Sequence, residues 1–290
     1  MNITSFTDVA GRVSRSTDVF HRVTAGTVVL ATSTLDDVRM SLPLNVGKWG
    51  QTDFAGASAM VDVMVQHSLA VGALSVNKRT PAWEKFWDDS LRIENLIRSQ
   101  DHKAAGFVRA ANFLKFHLMG GAANIAFGRA HWLTRTTPRV VDSSGRALLE
   151  HHMVFDNDIQ GNENEEVLES ILGMPMRRCE KEFNFTLRGR MTLATEQEEP
   201  LLLLPDFAAG IVHAAFLPEA GDFLPLTQAQ ANQLLKRLHD AELLAIHETD
   251  FDADCSDVFG ELMDLALADD KGQSLPQPAP RNAVDDKNDR

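Results

Sequence analysis

Apolar runs alternate along the chain with stretches of helical periodicity. Ile3 to Thr7 predicts a short strand that ends at Asp8, and the β-branched run Val23 to Ala31 predicts a second strand. In Phe54 to His67, apolar residues recur every three or four positions, which predicts a helix. Leu69 to Val76 is apolar almost throughout and is typical of a strand buried on both faces. Two strands followed by a helix and a buried strand indicate an α/β fold.

The middle of the chain is predicted to be a helical insertion at about residues 81–133. Its two helices are expected from Pro81 to Ile97 and from Ala104 to about Trp132. The other predicted strands are Asp37 to Leu44, His152 to Phe155, Phe183 to Leu187 and Met191 to Leu193. The other predicted helices are Glu163 to Leu172, Pro205 to Phe216, Thr227 to about His247 and Ser256 to Ala268. We therefore expect a main domain over 1–220, a C-terminal helical extension over 221–269 and a disordered acidic tail over 270–290.

The stretch from Leu201 to Phe216 is apolar or small except for Asp206 and His213. Pro205 suits the first turn of a helix because its missing N–H would have no partner there. Asp206 then falls in the same turn, where the helix dipole favours a carboxylate. This acid is either a helix cap or a functional group, and the stretch alone leaves both open.

Three acids occupy comparable places in the predicted fold. Asp8 follows the first strand, Asp156 follows a later strand, and Asp206 begins the late helix. Carboxylates brought together in this way are tolerated when a divalent cation lies between them. Bound Mg²⁺ or Mn²⁺ could then drive attack on a phosphodiester. The structural alternative is that acids commonly follow strands in turns and commonly begin helices.

Length and composition restrict the class of protein. The chain has 290 residues, of which 44% are hydrophobic, so it is long for one ordinary domain and short for two. No segment approaches the roughly 18 uninterrupted apolar residues of a membrane span, and the first residues carry no secretion signal. Cys179 and Cys255 are isolated, with neither metal-type nor disulfide-type spacing. We expect a cytoplasmic protein with no membrane contact.

The formal net charge of −13 argues against nucleic-acid binding, but the charge is unevenly spread. The last 41 residues carry 11 acidic and 4 basic residues, whereas residues 101–139 carry six basic residues and one acidic residue. Residues 177–190 carry five basic and two acidic residues. The segments 103–139 and 177–190 are therefore candidates for contact with a phosphate backbone. Ordinary solvated faces would give the same counts.

The order of these motifs resembles a poorly characterised family of mostly bacterial proteins with an RNase H-like fold, the domain of unknown function numbered 3800. That family begins with Asp-Glu-Ser-Gly after its first strand, where this chain reads Phe6-Thr-Asp8-Val-Ala-Gly11. Its late helix carries Ala-Asp-x-x-Ala-Gly, and here the sequence is Leu204-Pro-Asp206-Phe-Ala-Ala-Gly210. Leu69 to Arg79 resembles the family's strand that runs into Asp-Lys, and Val154 to Asp156 resembles its later acidic strand end. The resemblance covers roughly residues 2–216.

The resemblance implies a mixed sheet of RNase H type and a divalent-metal-dependent nuclease with Asp8, Asp156 and Asp206 as metal ligands and catalytic residues. Val9 and Asn77 stand where the family has Glu and Asp. An asparagine can donate an oxygen to Mg²⁺ or Mn²⁺ but supplies no charge, so such a site would hold the cation less tightly.

Asp62, on the first predicted helix, could replace a lost ligand, or it could simply face solvent. The alternative function is a catalytically inactive module that keeps the RNase H-like fold and binds nucleic acid or a protein partner. The losses at Val9 and Asn77 favour this alternative.

Overall fold

The computed structural model describes residues 2–15, 21–99, 110–133, 143, 147–157, 185–217 and 224–249. Within these ranges the strands are β1 (Asn2–Ala10), β2 (Arg22–Ala31), β3 (Ser68–Asn77), β4 (Ala147–Asp156), β5 (Phe185–Arg188), β6 (Met191–Ala194) and β7 (Leu244–Thr249). The helices are α1 (Leu35–Ser41), α2 (Phe54–His67), α3 (Pro81–Ser99), α4 (Ala110–Leu133), α5 (Leu203–Ala215) and α6 (Gln228–Asp240). Short 3₁₀ turns lie at Thr32–Thr34, Trp49–Gln51 and Pro200–Leu202.

All seven described strands belong to one mixed sheet with the order β5-β4-β1-β2-β3-β7. The first three strands are antiparallel neighbours, whereas β4 runs parallel to β1. β5 and β6 pair with successive halves of β4, both in parallel. The predicted α/β fold with a mixed sheet is confirmed. The helical insertion is present as α3 and α4.

Each face of the sheet has its own apolar core because side chains alternate along every strand. Val23, Ala25 and Val29 of β2 belong to the core that α3 and α4 cover. Val28 and Leu30 belong to the core that α2, α5 and α6 cover. None of the described helices is long and apolar enough to cross a membrane.

Two glycines allow a helix to approach the sheet closely on each face. A Cβ added at Gly26 of β2 would lie 2.6 Å from the backbone nitrogen of Ala209 and 2.8 Å from the carbonyl oxygen of Pro205, both in α5. On the other face, a Cβ at Gly72 of β3 would lie 2.6 Å from the backbone nitrogen and from the Cβ of Ala126 in α4. The backbone of each helix thus rests on a strand without an intervening side chain.

Two predicted elements differ from the structure. The strand predicted over Asp37 to Leu44 is instead α1, which has two acids in its first turn, as the helix dipole favours. The helix predicted to run from Thr227 to about His247 begins with a capping box at Thr227 but ends at Asp240. Glu242, with a φ of 59°, then leads into β7, which pairs in parallel with β3.

The expected C-terminal helical extension over 221–269 therefore includes a strand of the sheet. The helices predicted at 163–172 and 256–268 and the tail at 270–290 lie outside the described residues. The helix predicted from Phe54 to His67 begins and ends as expected.

We expect Gly26→Ala to lower the free energy of unfolding by about 1–3 kcal/mol, the usual cost of overpacking. The added methyl group meets backbone atoms of α5, which cannot rotate away. Chemical denaturation measures the change. The matched control is Gly50→Ala, because a Cβ there meets nothing within 4 Å. Equal stability of the two variants would contradict this account of how α5 packs.

Candidate metal site

Asp8 and Asp156 are brought side by side by the parallel pairing of β1 and β4. Thr7 pairs with Phe155, so the next residue of each strand is an acid. Phe6 and Val154 lie two positions before Asp8 and Asp156, and both belong to the core beneath α5. Because side chains alternate along a strand, the two carboxylates lie on that same face of the sheet. Asp8 is buried, and the Asp156 side chain is 14% exposed.

α5 carries Asp206 to the same place. Asp8 pairs across the sheet with Gly26, the residue on which the backbone of α5 rests. The first turn of α5 therefore lies over the end of β1. One carboxylate oxygen of Asp206, Oδ2, accepts a hydrogen bond of 2.8 Å from the backbone N–H of Trp49. The indole of Trp49 packs over Gly210 of the same helix and so fixes the loop that supplies this N–H.

A fourth acid, Glu196, joins the cluster from the turn after β6. Carboxylate oxygens of Asp8, Glu196 and Asp206 all lie within 4.8 Å of one another. The sequence did not identify Glu196, because it is one of three acids in the same short turn. The other two have structural partners: Glu198 accepts hydrogen bonds from Thr195, and Glu199 pairs with Arg39. The three acids can be told apart only from their positions in the folded protein.

Burial and mutual repulsion both disfavour ionisation of the carboxylates in this cluster. Burial, followed by the charges of Asp156 and Asp206, raises the pKa of Asp8 well above its usual value. Burial likewise raises the pKa of Asp206 to about 6, although the Trp49 N–H opposes the shift and Glu196 adds to it. Each group therefore costs free energy when it is ionised in this setting.

Two lysines lie beside the acids. The Nζ atom of Lys115, on α4, is 3.7 Å from Oδ2 of Asp156. Lys48 forms an ion pair with Glu196, and its hydrogen bond to that carboxylate raises the pKa of the lysine. Neither lysine was singled out as a site residue from the sequence, where Lys115 counted only toward the basic segment 103–139.

The donor set is compatible with a divalent cation. Mg²⁺ and Mn²⁺ favour carboxylate oxygens, and Mg²⁺ in particular is commonly held by one or two carboxylates together with water. The ligand atoms of Asp8, Glu196 and Asp206 already converge. A cation among them would offset the burial and the repulsion that together raise the pKa values of Asp8 and Asp206.

Asp62 and Asn77, also predicted as ligands, lie away from this cluster. Asp62 of α2 pairs with Arg237 of α6, and its side chain is 66% exposed. The amide oxygen of Asn77, at the end of β3, accepts a hydrogen bond of 3.0 Å from the backbone N–H of Arg79. The first is a surface partner of α6 and the second stabilises a turn, so the structure assigns both a local role.

The two basic segments are described only in part. Within 103–139, Lys115 lies at Asp156, and the guanidinium of Arg129 donates to the carbonyl oxygen of Glu242. Within 177–190, the guanidinium of Arg190 donates to Nδ1 of His152. The remaining basic residues of both segments lie outside the described residues or have side chains that are not described. Contact with nucleic acid through these segments stays a prediction.

Comparisons with known proteins give a distant structural match. No family model matches the chain, and no curated protein matches it. Among solved structures, ribonuclease H2 from Pyrococcus horikoshii OT3 superposes with a TM-score of 0.40 at 10% sequence identity, covering 82% of this chain and 99% of that chain. The expected membership of the resembled family stays a prediction.

We expect Asp206→Asn to stabilise the metal-free protein at about pH 7.5. The folded pKa of about 6 exceeds the ordinary 3.8, so the unsubstituted protein loses stability as the pH rises between these values and carries the full cost above them. The gain on substitution is at most about 3 kcal/mol, from roughly 1.4 kcal/mol per pKa unit. It should vanish towards about pH 3, below the ordinary value of 3.8, where the carboxyl is mostly protonated in both states.

Denaturation in the presence of a chelator, repeated across this pH range, measures the effect. Asp62→Asn is the control, because an exposed ion pair contributes only about 0–1 kcal/mol. A loss of stability in Asp206→Asn at the higher pH would contradict the electrostatic account.

Proposed function

We propose that this chain is a divalent-metal-dependent nuclease that hydrolyses phosphodiester bonds of RNA or DNA, with Mg²⁺ or Mn²⁺ as cofactor. The observation that supports the proposal is the convergence of the Asp8, Glu196 and Asp206 carboxylates at one end of the sheet. Asp156 lies beside them on the neighbouring strand. When bound, the cation would lower the pKa of a water ligand and polarise a phosphoryl oxygen.

The chain's own residues would hold and orient the reactants. Asp8, Glu196 and Asp206 would bind the cation through their converging oxygens. The hydrogen bond from the Trp49 N–H would keep the Asp206 carboxylate in one orientation. Lys48, whose side chain is 63% exposed, stands at the rim of the cluster, where its ammonium group can contact a phosphate oxygen. An exposed cation beside buried carboxylates suits a substrate that is itself an anion.

The proposed partner is nucleic acid, with the basic segments 103–139 and 177–190 contributing to backbone contact. Such contacts would make binding salt-dependent, because each neutralised phosphate releases counterions. The proposed setting is the cytoplasm, which rests on the isolated cysteines Cys179 and Cys255.

A second candidate is the inactive module that binds nucleic acid or a protein partner. Lys115 favours it, because a lysine beside Asp156 competes with a cation for that carboxylate. Val9, which stands where the resembled family has Glu, is packed against the core beneath α3 and α4. The two candidates differ in whether the cluster binds a metal ion and cleaves.

We expect the purified protein to cleave RNA or DNA in the presence of Mn²⁺ and to bind Mn²⁺ by calorimetry. Asp8→Asn and Asp206→Asn should each abolish cleavage, and Glu196→Gln should weaken metal affinity. These losses should at least match the about 10- to 100-fold reduction that follows loss of a residue supporting a metal ligand.

The control for this experiment is Asp62→Asn, which removes an acid of similar type from the surface of α2. Cleavage that survives in both Asp8→Asn and Asp206→Asn would rule out this site. A parent protein that neither cleaves nor binds Mn²⁺ would favour the inactive module.

A further inference from the structure

Lys115 is a buried cation beside the acidic cluster. It is only 8% exposed, and its Nζ atom lies 3.7 Å from Oδ2 of Asp156, whose side chain is also largely buried. A buried ammonium group is costly unless it is paired. Its charge also acts on Asp8, where it opposes the rise in pKa. The charge of Lys115 is therefore offset in part by the acids of β1 and β4.

Asp156 differs from the other three acids in what its oxygens face. The converging trio is Asp8, Glu196 and Asp206, and Asp156 is not a member of it among the described residues. The acid at the end of β4 instead has the ammonium of Lys115 3.7 Å from its Oδ2 atom. The cluster therefore has two parts. One is the carboxylate trio of Asp8, Glu196 and Asp206, and the other is the pair of Asp156 and Lys115.

The charge balance agrees with this division. Four carboxylates face the two ammonium groups of Lys48 and Lys115, which leaves a formal charge of −2. One divalent cation neutralises that charge. Two divalent cations, which stand about 3.5–4 Å apart in two-metal sites, would leave an excess of positive charge.

We propose that the site takes one divalent cation, held by Asp8, Glu196 and Asp206, and that Lys115 replaces a second cation by neutralising Asp156. This inference rests on the proposed function, because it concerns the same site. It makes Asp156 a positioning residue that holds Lys115 beside Asp8, whereas Asp206 is a ligand.

Calorimetric titration of the full chain with Mn²⁺ tests the inference without any substrate. We expect one ion per chain, and an electron paramagnetic resonance spectrum of an isolated ion. Asp156→Asn should keep this stoichiometry with less than about a tenfold change in affinity, whereas Asp206→Asn should lose at least about tenfold. Lys115→Met should add a second, weaker binding event, because it uncovers the Asp156 carboxylate.

The outcomes separate this inference from the proposed function. Two ions bound by the parent protein would overturn the inference and leave a metal site in place, whereas no bound ion would overturn both. If Asp156→Asn loses as much Mn²⁺ affinity as Asp206→Asn, then Asp156 is a ligand and the inference is overturned. A folded Lys115→Met protein that binds only one ion would also overturn the inference. If Lys115→Met does not fold, the double variant Lys115→Met with Asp156→Asn removes both charges and should still bind one ion with the parent's affinity. Loss of that ion would overturn the inference.

Discussion

The close approach of α5 to β2 at Gly26 is the constraint on which the candidate site depends. Asp8 pairs with Gly26, and the backbone of α5 at Pro205 and Ala209 lies against that glycine. Any larger side chain there would lift the helix away from the sheet. Since Asp206 is held on this turn, the same displacement would separate its carboxylate from that of Asp8. Gly26 therefore determines both how closely α5 packs on the sheet and how closely the Asp8 and Asp206 carboxylates approach each other.

The closeness that gathers the acids also makes them destabilise the metal-free protein. Burial and mutual repulsion raise the pKa values of Asp8 and Asp206, so both carboxylates are held in a setting that favours protonation. Lys115 and Lys48 offset part of this repulsion. The cluster keeps a net negative charge, as a cation-binding site requires. Binding the cation then offsets the free-energy cost of the ionised carboxylates and stabilises the folded protein. Asp62, by contrast, is 66% exposed and pairs with Arg237 on the surface of α2.

The sequence predicted the parts of the molecule that local patterns determine. The helix from Phe54 to His67, the buried strand β3 and the start of a helix at Thr227 follow from periodicity and helix-end chemistry, and the fold class follows from their order. The site residues Glu196 and Lys115 were not predictable in this way. Their roles arise from strand register and from the packing of α4, which join positions far apart in the chain. β7 was not predicted, because its residues alternate only weakly between apolar and polar. Its strand conformation depends on pairing with β3.

The two departures from the resembled family's motif therefore remove no carboxylate from the cluster. Val9 follows Asp8 directly, so it points to the opposite face of β1, where it packs against the core beneath α3 and α4. Asn77 lies four residues beyond Ala73, which stands level with Asp8 through Gly26, and this places it about 13 Å farther along the sheet. A carboxylate at either position would not join Asp206 without a change of register. Glu196, which no strand-end pattern identifies, supplies the carboxylate that those positions do not.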